Sequence, residues 1–521
     1  MSQPNLEQGS QKQVNRKKGF FNRFLDWIEV NGNKLPDVLT LFLIFTIVIL
    51  AASFVAGKLG WSAINPATNE KIVAVNLLNK EGIVQILTEM VKNFMNFPPL
   101  GLVLVVMLGV GLAESTGLVS AFMRKVVLAS PQKFILPIII FIGMVGNAAA
   151  DAALIVLPPI AALIFLSVKR HPIAGLVAAY AAVAGGFSAN IILNMLDALV
   201  AGFTETSAQI VDPSYKANPA MNYYFMVAST FVLVPVAVFV TTKIVEPRLG
   251  TYSPLAGAIE QADNKLSDLE KRGLRFAGIA LAAFVAILLF MTIPENAILR
   301  HPETGSLIVS PFMNSLVPIM FLAFFIPALA FGIGAKVIKS DKDVAEHLTK
   351  AMSGMGYYIV LAFIAAQMIT YFTWSNLGSL IAIKGADLLQ DLGFTGLPLL
   401  ISFILFSALV NLLIASSSAK WAILGPVFVP MFMLLGYSPA FTQMAYRIGD
   451  SITNTITPML AYFAIVLTFA KKYDPKMGVG TLISALLPYT IAFSIMWILL
   501  FSAWYFLGLP LGPGEYIHLE K

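Results

Sequence analysis

NLLIASSSAKWAILGPVFVPM (residues 411–431) and AYRIGDSITNTITPM (445–459) decide the reading of this chain. Both lie in strongly apolar surroundings, yet they carry Ser416, Ser417, Ser418, Lys420, Arg447, Asp450, Ser451 and Asn454. In hydrocarbon such groups are costly unless they are paired or face a cavity. Pro426, Pro430 and Pro458 interrupt the backbone in the same places. Interrupted helices at membrane depth persist only inside protein or around a wet site. The two stretches therefore read as one half of a transport site.

The rest of the composition agrees with a membrane setting. The 521 residues are 58% hydrophobic and only 12% charged, with a mean hydropathy of +0.81. A soluble domain carries about twice that charged fraction. Cysteine is absent, which excludes a disulfide framework, a thiolate metal site and a cysteine nucleophile. The net charge of +6 reads as cytoplasmic-loop lysine and arginine and not as a nucleic-acid surface.

Working outward along the chain, residues 1–35 are polar and basic and lack the apolar core of a signal peptide. They read as a cytoplasmic tail, and residues 36–507 as one transmembrane domain. Spans are expected near 36–57, 97–119, 221–242, 274–295, 312–335, 351–373 and 478–507. Two outer connections contain helical patterns, EGIVQILTEMVKNF and SLIAIKGADLLQDL. Residues 508–521 form a short periplasmic tail.

Residues 134–168 are too short for two spans with a turn, and both flanks are basic (Lys133; Lys169, Arg170). A re-entrant helical hairpin satisfies both constraints. The following segment, 173–203, contains GGFSANIILNMLDALVAG. It is too polar for a lipid-facing helix, and its glycines permit local unwinding. The same order, hairpin then broken helix, recurs at 397–438 and 440–470. The first hairpin enters from inside and the second from outside, which makes an inverted repeat. The expected fold is an all-α polytopic membrane protein with nine transmembrane helices plus two re-entrant hairpins.

Each candidate residue admits a plain reading and a functional one. Arg447 and Asp450 are three apart on a helix and can neutralise each other, or can handle substrate and protons. Asp197 has no basic neighbour in sequence and suits proton or cation coupling. Asp151 suits a cap on the second hairpin helix. Asn147, Asn190, Asn194 and Asn454 offer hard oxygen ligands for sodium, or caps for broken helices. Trp421 can stack on an aromatic substrate or anchor at the interface. Ser416–Ser418 can donate to a carboxylate or sulfonyl group, or form a small-residue turn. Lys420 is expected to snorkel outward. Pro439 and Pro458 shape helix ends.

AYRIGDSITNTITPM, SSSAKWAILGPVFVPM and GGFSANIILNMLDALVAG resemble the AbgT family, the p-aminobenzoyl-glutamate transporters, most of all its bacterial antimetabolite exporters. The likeness includes HPETG (301–305) and VGTLISALLPY (479–489). The resemblance implies an inner-membrane homodimer with nine spans and two hairpins. It implies proton-motive-force-dependent export of sulfonamides, with p-aminobenzoyl-glutamate uptake and a bound sodium ion in some members. It assigns roles to Asp197, Ser418, Trp421, Pro439, Arg447, Asp450 and Pro458. Two places depart from the family pattern: the first hairpin tip, GNAAAD, and Lys420, where a glutamine is familiar.

The resulting expectation is a secondary transporter in the bacterial inner membrane, N-terminus cytoplasmic, exporting sulfonamides and p-aminobenzoate-like aromatic metabolites by alternating access. Ser418, Trp421, Pro439, Arg447 and Pro458 would bind substrate, and Asp197 and Asp450 would couple protons. An importer of p-aminobenzoyl-glutamate, a folate catabolite, is the alternative. No cofactor is expected apart from sodium, and no nucleic-acid partner. A membrane enzyme is disfavoured because HExxH and GxSxG are absent, and a primary pump because no GxxxxGK[ST] occurs.

Overall fold

The computed structural model describes residues 36–64, 70–149, 152–252, 266–307 and 310–519. The cytoplasmic tail expected over 1–35 and the cap expected at Asp151 lie outside the described residues. The described chain is mostly helical. It also holds a small antiparallel ribbon, β1 (Ser62–Ile64) with β2 (Lys71–Val73), in the connection after the first helix. Sequence reading gave no strand there.

The first half runs through α1 (Val38–Leu59), α2 (Lys80–Met95), α3 (Pro98–Ser115) and α4 (Leu118–Leu128). A helix–turn–helix follows, α5 (Ile135–Gly146) and α6 (Ala152–Ser167), then α7 (Pro172–Tyr180). Helix α7 widens into a π-type turn over Ala181–Gly185, and the chain stays irregular until α8 (Met195–Ala208). Next come α9 (Tyr223–Val240), α10 (Asp268–Phe290) and α11 (Leu316–Gly334).

The second half begins with α12 (Asp341–Ser353) and α13 (Gly356–Trp374), then α14 (Leu377–Asp391). A second helix–turn–helix, α15 (Gly396–Leu413) and α16 (Ser417–Leu434), leads to α17 (Pro439–Ile452). The chain is again irregular to α18 (Ala461–Lys471), and α19 (Val479–Leu507) closes the domain. Helix α12 was read from sequence only as a basic loop.

Among the described residues nine helical stretches are long and apolar enough to cross a membrane. The number is the one expected, and seven of the nine coincide with expected crossings. The set includes both arms of 396–434 and omits the interrupted segments 172–208 and 439–471. The physical reason is the interruption: each piece of a broken helix is too short to span alone.

The interrupted segments sit at the centre. Every residue of α17 is buried, although its sequence would suit a half-exposed soluble helix. Helix α17 packs on α15 and α16, and α16 in turn packs on α8 of the first half. Close backbone approach makes this possible at Gly449, where a Cβ would lie 2.3 Å from the Ile404 carbonyl oxygen. The tail after α19 returns to the start of α17. The Ser438 amide donates to Ile517 O at 2.8 Å, and Leu519 donates to Gly436 O at 3.1 Å.

Candidate functional site

The site grows from two helix starts. At the first, Asn194 caps α8, accepting from Leu196 N at 2.8 Å and Asp197 N at 3.3 Å. Asp197 reciprocates through Oδ2, which accepts from Asn194 N at 2.8 Å. This capping box fixes the Asp197 carboxylate beside the break. Its other oxygen, Oδ1, accepts from Arg447 Nη2 at 2.7 Å. Arg447 comes from the middle of α17, so the ion pair joins the two halves. Both side chains are almost fully buried, at 2% and 0% exposure. Among the described residues, the one further side-chain contact of Arg447 is a long one, from Nε to Ser188 Oγ at 3.4 Å.

One turn along α17, Asp450 forms a second buried pair. Its Oδ1 lies 2.6 Å from Lys420 Nζ. Lys420 also donates to Asn411 Oδ1. The Asn411 amide nitrogen donates to Asp450 O at 2.7 Å, Thr453 Oγ1 at 2.9 Å and Asn454 Oδ1 at 2.8 Å. Hairpin arm α15, arm α16 and the break after α17 are thus tied through one amide.

These pairings correct two expectations. Arg447 and Asp450 do not neutralise each other, because each has a nearer partner on another element. Asp197, which has no basic neighbour in sequence, finds its cation 250 residues away. Lys420 does not snorkel: it is 1% exposed, and α16 places it toward α17 and not toward lipid. Trp421 is no interfacial anchor either. It is fully buried, stacked on Tyr446 with ring centroids 4.5 Å apart, and its Nε1 donates to Thr204 Oγ1 at 2.9 Å.

The remaining candidates fall around these pairs. Ser416 caps α16, accepting from Ala419 N, and is exposed; Ser418 is half-buried beside it, with the two hydroxyls 3.4 Å apart. Pro439 is the first residue of α17 after its Ser438 cap. Pro458 lies half-buried in the break before α18. Asn190 caps the unwound segment through Ile191 N at 2.8 Å. Asn147 ends α5 and donates to Val183 O at 3.0 Å across the first break. Its Oδ1, like Asn190 Nδ2, is buried and meets no hydrogen-bond partner among the described residues.

Sequence reading missed Asn411, Tyr446, Gln443, Thr204 and Asn222. Gln443 Nε2 donates to Thr204 Oγ1 at 2.8 Å, and Asn222 bonds Gln443. An amide closing an apolar helix at the same point as Asn147 was the available signal for Asn411. An apolar crevice of about 600 Å³, lined by Phe45, Ile369, Phe372, Ile423 and Pro426 among others, lies beside α16. None of the charged pairs lines it, and its apolar walls suit no carboxylate.

The model of the AbgT transporter family matches residues 23–519. The chain belongs to the AbgT family. It is 39% identical over 494 residues to the p-aminobenzoyl-glutamate transport protein of Escherichia coli (strain K12), covering 95% of this chain and 97% of that relative. The solved structure of the Alcanivorax borkumensis YdaH transporter is similar at a TM-score of 0.88, with 40% identity, covering 92% of this chain and all of that one. MtrF of Neisseria gonorrhoeae, described as illuminating a class of antimetabolite efflux pumps, is similar at a TM-score of 0.88. It is 45% identical and covers 95% of this chain and 100% of its own. This AbgT protein is therefore a multi-span membrane transporter, and the membrane-enzyme reading is set aside.

Sodium, which the family resemblance implied for some members, can be tested against the donors present. A hard cation takes oxygen ligands. The buried oxygen pair of the second half, Asn411 Oδ1 with Asp450 Oδ1, is already engaged by Lys420 Nζ. No cluster of three or more His, Cys, Asp or Glu occurs among the described residues. With Lys420 engaging them, the second-half donors are not free to hold a resident sodium ion.

In the C-terminal tail, burial pushes the Glu515 carboxyl up to about 7. Glu515 lies in the segment that docks on α17.

Proposed function

We propose that this AbgT transporter exports sulfonamides and p-aminobenzoate-like aromatic acids across the bacterial inner membrane, driven by the proton motive force. The observation that carries the reading is the Asp197–Arg447 pair, 2.7 Å long, buried and shared between the two halves. Such a pair cannot stay intact while the halves move apart, and an intramembrane carboxylate is a proton acceptor. The proposed substrates carry an aromatic amine at one end and a sulfonyl or carboxylate at the other. The amine is a donor matched to Asp197; the anionic end matches Arg447 and the Ser418 hydroxyl. A proton and the amine then compete for one carboxylate. Competition for one site gives exchange: protons enter as substrate leaves. Trp421 supports the pocket from behind, through Tyr446 and Thr204. Pro439 and Pro458 set where α17 begins and where its break ends. Asp450 acts in coupling through Lys420.

A second reading has its own support, in the p-aminobenzoyl-glutamate relative. A substrate carboxylate that displaces Asp197 from Arg447 leaves Asp197 to take up a proton. Anion and proton then travel together, which is uptake. One experiment separates them. Purified protein in liposomes carrying a trapped pH indicator is given a downhill gradient of p-aminobenzoyl-glutamate or a sulfonamide. Exchange moves protons against the substrate and cotransport moves them with it; no proton movement with either refutes both schemes. The homodimer that the family resemblance implies is tested by measuring the mass of the detergent-solubilised protein.

A further inference from the structure

The two halves carry the same tie, with one difference. In the first half, Asn147 at the end of α5 reaches across the break, donating to Val183 O, 36 residues on, and at 3.5 Å to Gly186 O. In the second, Asn411 near the end of α15 donates to Asp450 O, 39 residues on, and to Thr453 Oγ1 and Asn454 Oδ1. In each case the donor end of the amide is fixed by acceptors, so the acceptor end must point inward. Asn147 Oδ1 meets no partner among the described residues. Asn411 Oδ1 meets the Lys420 ammonium, which also lies 2.6 Å from Asp450 Oδ1.

We infer that Lys420 is a tethered cation filling what would otherwise be a monovalent-cation site between hairpin arms α15 and α16 and helix α17. The donors are a carboxylate oxygen and an amide oxygen, with the Thr453 hydroxyl and Asn454 amide behind them. Hard oxygens around one net negative charge suit sodium or lithium. An ammonium carries the same charge and satisfies the same oxygens by hydrogen bonds. Being covalently attached, it is present at an effective concentration that a dilute ion does not match. With Lys420 in place, the second half needs no alkali ion to hold the hairpin tip against α17. Protein with Lys420 removed would recruit one, because Asp450 would otherwise remain a buried unpaired charge.

The inference rests on the transport reading only for its consequence, sodium-independent coupling. Its test is binding, so its failure is distinct from failure of the transport scheme. The full chain, purified in choline chloride, is titrated with sodium chloride while the melting temperature is followed, and radiolabelled sodium binding is counted. The wild type is expected to show no sodium response that depends on Asp450. Lys420→Ala is expected to melt lower and regain several degrees saturably with sodium, binding about one ion per chain by mass action. The double variant Lys420→Ala with Asp450→Asn is expected to lose that response. Should Lys420→Ala fail to fold in choline, recovery of folded protein in sodium supports the inference, and no recovery overturns it. It is also overturned by a folded Lys420→Ala that ignores sodium, or by sodium binding to the wild type that Asp450→Asn abolishes.

Discussion

Breaking the pair that joins the halves gives the sharpest prediction. Asp197 Oδ1 and Arg447 Nη2 are 2.7 Å apart with both side chains buried. Removing one partner of such a pair costs about 3–5 kcal/mol, because the other charge stays behind without its counter-ion. The two sides are not equivalent. Asp197 keeps the Asn194 amide through Oδ2, whereas Arg447 keeps, among the described residues, only the 3.4 Å contact to Ser188. Asp197→Asn, which strands the guanidinium, should therefore be the more damaging single change, and Arg447→Met the milder. The double variant removes both charges and should recover at least about 2 kcal/mol relative to the sum of the singles, since contacting residues couple. Unfolding in detergent, followed as a double-mutant cycle, measures this. Additivity within about 0.5 kcal/mol would show that the two groups do not interact. Counterflow in liposomes then separates structure from function. If the pair only stabilises the fold, the double variant regains exchange along with stability. On the reading here it regains stability and stays inactive.

Three further outcomes follow from the packing and the tail. Trp421→Phe keeps the stack on Tyr446 but loses the bond to Thr204 Oγ1; a drop of about 1–2 kcal/mol in unfolding free energy is expected. Gly449→Ala would place a Cβ 2.3 Å from Ile404 O and 2.6 Å from Ser407 Cβ. It should cost about 1–3 kcal/mol or more, while Gly478→Ala, with nothing within 4 Å, should melt like the wild type. Glu515, raised by burial from 4.5 to about 7, binds more protons docked than undocked between those values. Docking of the tail should therefore weaken as pH rises through that window and level off above it. Protease protection of the tail against pH reads this out, and Glu515→Gln should flatten the curve.

How much was legible beforehand depended on the range of the physical rule applied. Asp197, Arg447, Asp450 and Asn454 stood out because a charge or an amide within an apolar run violates a cost that needs no partner to calculate. The helical class and the two interrupted segments followed from hydropathy and from glycine and proline position in the same way. Pairing did not follow. The nearest-neighbour rule on a helix joins Arg447 to Asp450, yet the fold sends one to Asp197 and the other to Lys420. Snorkelling, likewise, is a rule for a helix that faces lipid, and α16 presents Lys420 to protein.

Which face α16 turns inward is set by its contacts with α8, α14 and α17, none of them local in sequence. The same limit explains Asn411. A single amide in an apolar helix reads as a packing residue until its counterpart Asn147 is seen making the equivalent tie across the other break. The parallel shows in three dimensions because each asparagine donates to a backbone carbonyl beside a break. In sequence the tied residues, Val183 and Asp450, share no chemistry. The tie therefore recurs through the backbone while the charge around it differs. That divergence lets two related halves do different work, one holding an open amide oxygen and the other a cation of its own.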